Sequence, residues 1–125
     1  MEKVYFDEAI KASIGIFDED FESDEFRKRA TKVLDLIKNG AKKAINDTSK
    51  LKVIDVDDQE WIENIWFPKA IEYGLKYFAF VVPKDVVGKL SMQLANDKQE
   101  KEASPITLNY FSDLQSAKEW IKQQN

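Results

Sequence analysis

At 125 residues, with 43% hydrophobic and 34% charged side chains, the chain has the length and balance of one ordinary globular domain. It contains neither cysteine nor histidine, which excludes disulfides, thiolate catalysis, Cys/His zinc sites and every dyad or triad with an imidazole base. The net charge of −4 is uneven, with nine acids against two lysines in residues 1–25. No dense Lys/Arg cluster follows; Lys42-Lys43 and the scattered lysines read as a solvated face, and nucleic acid is disfavoured as a partner.

Residues 4–17, VYFDEAIKASIGIF, place Ile10, Ala12, Ile14 and Ile16 in alternation with Lys11, Ser13 and Gly15. This is the period of a strand with one buried face, and Asp7-Glu8 is a plausible turn, so a hairpin of two antiparallel strands is predicted. After DEDFESDE (18–25), Phe26, Ala30, Val33, Leu34 and Ile37 form an amphipathic helical stripe. Ser23 is its expected cap, Asp24 and Glu25 suit the positive end of the helix dipole, and Asn39-Gly40 ends it.

Residues 41–47, AKKAIND, read as a short strand, followed by a connection over 48–56. Asp57 and Glu60 have capping-box spacing ahead of a helix through Trp61, Ile62, Ile65 and Trp66. Pro68 lacks an N–H and clashes with the preceding turn, so the helix is expected to kink or restart there, and Gly74 to end it. YFAFVV (77–82) is apolar on both faces, as in a central strand covered on both sides. A weaker helix over 85–101 turns Val86, Leu90, Leu94 and Ala95 inward, and Ser104-Pro105 breaks it. ITLNYF (106–111) is the last strand; Ser112 and Gln115 then cap a final helix carrying Leu114, Ala117, Trp120 and Ile121.

The order β-β-α-β-α-β-α-β-α predicts an α/β fold: a five-stranded mixed sheet, mainly parallel with an antiparallel edge, and four helices, in a single domain over 1–125. No apolar run approaches the ~20 residues of a membrane span. The opening MEK lacks a signal-peptide pattern, so a cytoplasmic location is expected.

Candidate sites are few. Asp18, Asp20, Glu22 and Asp24 alternate as calcium ligands do, but an EF-hand loop would need glycine and glutamate where Ser23 and Arg29 stand. Asp55, Asp57, Asp58 and Glu60 are accounted for by a helix start, so neither a metal site nor catalytic carboxylates are expected. The four glycines are well separated, with no phosphate-cradling loop, and no cofactor is expected. Thr48 and Ser49, just after a strand, are the candidate phosphorylation positions, though turn or cap roles suit them as well. Residues 61–84 hold seven of the fifteen aromatics. Trp61, Trp66, Phe67 and Tyr73, grouped around the proline, are the candidate ligand-binding residues, with core packing as the plainer role.

The segment DDQEWIENIWFPKAIEYGLKYFAFVVPK and the closing YFSDLQSAKEWIKQ resemble the SpoIIAA-like branch of the STAS (STAS/SEC14-like) domain family, in small proteins of the Bacteroidota type. Trp61, Trp66, Pro68, Gly74, Ala79 and the Phe111-Ser112-Asp113…Ala117…Trp120 pattern carry the resemblance, which covers essentially the whole chain. It implies a five-stranded mixed sheet with four helices and a regulatory or protein-interaction role without catalysis. A protein partner or self-association is implied, and a small apolar ligand bound near the kinked second helix is the alternative. The phosphorylatable serine motif of that family is missing: Ile54-Asp55-Val56-Asp57-Asp58 has no hydroxyl, and Asp47-Thr48-Ser49-Lys50 lacks the glycine.

Overall fold

The structure, a computed structural model, describes residues 3–17, 23–50, 56–100 and 106–124, with backbone alone for Ser23 and residues 93–100. Its elements are β1 (Val4–Asp7), β2 (Ala12–Ile16), α1 (Ser23–Lys38), β3 (Lys43–Asp47), α2 (Val56–Trp61), a π-helical turn (Ile62–Trp66), α3 (Phe67–Glu72), β4 (Tyr77–Val81), α4 (Lys84–Glu100), β5 (Thr107–Phe111) and α5 (Leu114–Lys122). α2, the π turn and α3 run on without a gap as one helical connection. The five strands lie in chain order, β1 antiparallel to β2 and all other pairs parallel, so the mixed sheet with an antiparallel edge is as expected.

Alternation sorts each strand between two cores. Phe78 and Phe80 of β4 join Ala44 beneath α1 and α3, with Val33, Ile37, Trp66 and Ala70. Tyr77, Ala79 and Val81 point the other way, with Ile14 and Ile45, onto Ala117 and Ile121 of α5. β4 is therefore buried on both faces, but the centre of the sheet is β3. α4 packs on the outermost strand, β5.

Several boundaries differ from expectation for local reasons. Ile10 lies in the hairpin turn at residues 8–11, not in a strand, and Lys11 there adopts a left-handed φ of 56°. β3 starts at Lys43 because Gly40 and Ala41 finish α1: the Gly40 and Ala41 N–H groups donate to the carbonyls of Ile37 and Leu36. The same closure ends α3, where Gly74 and Leu75 donate to Ile71 and Ala70, and both glycines have the positive φ this closure requires. α2 begins at Val56, which puts Asp57 and Asp58 inside the first turn; Asp58 pairs with Arg27 of α1, Nε to Oδ1 at 2.8 Å. The residue capping α5 is Asp113, not Ser112: its carboxylate accepts the Ser116 N–H at 2.7 Å and the Ser116 hydroxyl at 3.0 Å.

At Pro68 the helix neither ends nor restarts. An α-helical turn would need the missing proline N–H and would press its ring on the carbonyl four residues back. The chain widens the preceding turn instead, and the Phe67 N–H donates to the carbonyl of Ile62, five residues back. The added residue shifts the helical phase, so Trp66 faces the core at 1% exposure while Ile65, expected in the apolar stripe, is 45% exposed.

The expected cap at Ser23, the acidic run over 18–22, Asp55 and the Ser104-Pro105 break lie wholly or in part outside what is described.

Two outcomes test this account. A Cβ on Gly15 would lie 2.8 Å from Val33 Cγ2 and 2.9 Å from Asn46 Oδ1, so Gly15→Ala should cost about 1–3 kcal/mol in denaturant unfolding. The hydrogen bonds from Ser116 hold the Asp113 carboxyl below its ordinary value. Its stabilising contribution is therefore present above the ordinary carboxylate value and is lost as pH falls through the lowered folded one. Asp113→Asn, which keeps an acceptor oxygen, should flatten that acid limb in unfolding curves measured across pH.

Candidate functional site

The four aromatics singled out from sequence do come together, but on the helix-covered face of the sheet rather than around an opening. The Trp66 indole N–H donates to the carbonyl of Ala30 at 2.8 Å, and the ring packs edge-on to Phe67 (centroids 5.2 Å) and tilted on Phe78 (5.4 Å). Trp61, Phe67 and Tyr73 are partly buried against the same cluster. The outer rings carry cations: the Arg27 guanidinium lies 5.3 Å from the Trp61 ring centroid, and Lys38 Nζ lies 5.6 Å from that of Tyr73. Neither of the two cavities described below is lined by any of the four.

Open α/β sheets present their chemistry at the carboxyl ends of the parallel strands. There, Asp47 Oδ1 accepts both the Ser49 N–H (3.1 Å) and the Ser49 hydroxyl (2.7 Å), while the Thr48 hydroxyl donates to the carbonyl of Val81 (3.0 Å). Both candidate phosphorylation hydroxyls are thus engaged in turn contacts. A phosphate on Ser49 would also meet the Asp47 carboxylate. Inside the sheet, Ser13 Oγ and Asn46 Oδ1 are buried without a hydrogen bond among the described residues. Of the acids near the start of α2, Asp58 is buried against Arg27, and no three His, Cys, Asp or Glu side chains gather as a metal-binding group among the described residues.

A concave surface lies at the opposite end of the sheet, where the hairpin turn, the exit from α1, the start of β3 and the end of α5 meet. It has a volume of about 490 Å³. Lys11, Lys42, Lys43 and Lys122 line it, with Phe6, Ala9 and Ile10 as an apolar wall and no carboxylate side chain among the described residues. Lys43 Nζ donates to the carbonyls of Ile121 and Gln124, each at 3.2 Å, binding the end of α5 to the sheet. Burial pushes the Lys43 amine below its ordinary pKa, and the neighbouring Lys11 charge adds to the shift. A smaller cavity of about 300 Å³ lies between β1 and α1 and is lined by Lys3, Lys28, Arg29 and Lys32 together with Glu25. There Arg29 is internally engaged, donating to the carbonyl of Ile16 at 2.7 Å and lying 3.7 Å from Glu25.

The sequence places Lys42 and Lys43 on a solvated face, which holds for Lys42 and not for Lys43. Lys42 is exposed, but Lys43 is half-buried, and both face lysines from remote parts of the chain. The one local hint is a cationic residue at the end of a hairpin turn, where glycine or asparagine is the usual choice.

Because Trp66 is a core residue, Trp66→Ala should lower unfolding stability by ~3–5 kcal/mol, and Trp66→Phe should lose less, since it removes chiefly the bond to Ala30. A melting curve that barely moves for Trp66→Ala would contradict this packing. Comparison with protein-family models, with curated proteins and with solved structures finds no match to this chain.

Proposed function

We propose that this chain is a non-catalytic regulatory or interaction module of the STAS-like type, acting in the cytoplasm by binding a protein partner or a second copy of itself. The observation that carries this reading is the closure of the strand ends: Asp47, Thr48 and Ser49 satisfy one another and the backbone. That leaves no nucleophile and base poised over a reacting atom among them. The residues carrying the STAS-like resemblance support it through the framework, since Trp66, Gly74, Ala79, Ala117 and Trp120 all serve packing or helix closure. Fold likeness supports a mode of action and not a partner. The apolar-ligand alternative near Trp61, Trp66, Phe67 and Tyr73 draws less support, because the Trp66 ring is enclosed and its N–H is already bonded.

Native mass spectrometry of the protein purified from its own host tests the reading. The expected spectrum contains a dimer or a defined complex with another chain; a bare monomer overturns it.

A further inference from the structure

We propose that the lysine-lined cavity at the hairpin end of the sheet is a binding site for a small organic phosphate. Its phosphoryl group would be held by Lys11, Lys42 and Lys122, and its apolar part would rest on Phe6, Ala9 and Ile10. The site is separate from the partner-binding reading above and stands or falls without it.

Three observations converge on an anion. First, four lysines line one cavity with no carboxylate side chain among the described residues of its walls, in a chain whose net charge is −4. Like charges brought together repel, and a bound anion offsets that repulsion. Of the two hairpin acids, Asp7 is already engaged, accepting the Ala9 N–H at 2.9 Å and lying 3.8 Å from Lys118, and the exposed Glu8 is not among the residues that line the cavity.

Second, Lys43 is fixed. Two of its three N–H groups go to the carbonyls at the end of α5, so its charge is held at the cavity wall while one donor is left for a ligand. Third, Lys11 occupies a left-handed backbone position, φ 56°, where glycine costs nothing and a lysine is strained. A strained side chain that faces a cavity fits a binding role better than a role in the turn itself.

The donor type favours phosphate over carboxylate. Ammonium groups are compact point charges with rotatable donors, suited to a tetrahedral multiply charged group, whereas planar carboxylates are matched by the guanidinium fork that this cavity lacks. The volume of about 490 Å³ exceeds what a bare ion needs and falls in the range of small-molecule sites. The apolar wall gives the rest of such a ligand a surface to cover.

The test uses the full ¹⁵N-labelled chain titrated with phenyl phosphate, inorganic phosphate and citrate at constant ionic strength. Saturable amide shifts are expected at Lys11, Gly40, Lys42 and Gln124, with phenyl phosphate binding more tightly than inorganic phosphate. Lys11→Gly should raise the melting temperature by relieving the backbone and yet weaken phenyl phosphate binding by about tenfold, a split that a purely structural lysine would not give. Lys42→Gln should weaken binding as well, while Lys28→Ala combined with Lys32→Ala, in the other basic cavity, should leave it unchanged. The proposal is overturned by shifts still linear at about 10 mM ligand, a concentration well above any specific affinity. Unchanged binding by Lys11→Gly, or tighter binding of citrate than of phenyl phosphate, overturns it equally.

Discussion

With five strands lying side by side in chain order, α1 and the helical connection through Trp66 serve one face of the sheet, and the nine-residue α5 must seal the other. Ala117 and Ile121 descend onto β3 and β4, where Ile45, Ala79 and Val81 meet them, all fully or almost fully buried. A short helix has little intrinsic stability, so tertiary packing and its termini hold it. Asp113 satisfies its first turn, Lys43 reaches up from β3 to its last carbonyls, and Lys118 lies toward Asp7 of the hairpin. The half-buried lysine that anchors the end of α5 is also a wall of the basic cavity. The closure of the second face and the placement of positive charge beside it are one arrangement.

On the first face the controlling local fact is the missing N–H of Pro68. The widened turn before it lets the helix continue, and the phase shift carries Trp66 into the core and Ile65 out of it. Trp66 then bridges elements: its ring meets Phe67 and Phe78, and its N–H reaches the carbonyl of Ala30 in α1. Arg27, one helical turn earlier, binds the buried Asp58 and lies over Trp61, so α1 and the second connection are joined by one apolar and one polar contact. A buried carboxylate without Arg27 would be costly, which gives this half-exposed pair a structural role that its partial exposure alone would not.

The two ends of the sheet differ in kind. At the carboxyl ends of the parallel strands Asp47 and Ser49 are closed on one another and Thr48 on the backbone, and Gly15 lets Asn46 and Val33 approach where any side chain would collide. At the other end the lysines converge against an apolar wall, with no acidic side chain among the described residues that line the cavity. In a molecule of net negative charge such a local excess of positive charge is a directional feature of the surface.

Much of the framework was legible from residue order, because periodicity, caps and breakers act over one or two turns. The stripe of Phe26, Ala30, Val33, Leu34 and Ile37, the glycine stops at 40 and 74, and the two-faced YFAFV strand needed nothing beyond their neighbours to be read. Where local signals competed, tertiary contacts chose. Asp57, the expected cap, falls inside the first turn of α2 while its neighbour Asp58 pairs with Arg27, and Asp113 displaced Ser112 as the cap of α5. Among the proposed site residues, the sequence determined that Trp61, Trp66, Phe67 and Tyr73 would share an apolar cluster; which of them faced inward depended on the turn chosen ahead of Pro68. Of the lysine cavity, only the unusual residue at the end of the hairpin turn was legible. Lys11, Lys42, Lys43 and Lys122 meet only because the hairpin turn, the exit from α1 and the end of α5 converge at one end of the sheet. Charges remote in sequence carry no local signature of their meeting, and the packing of α5 across the sheet brings them together.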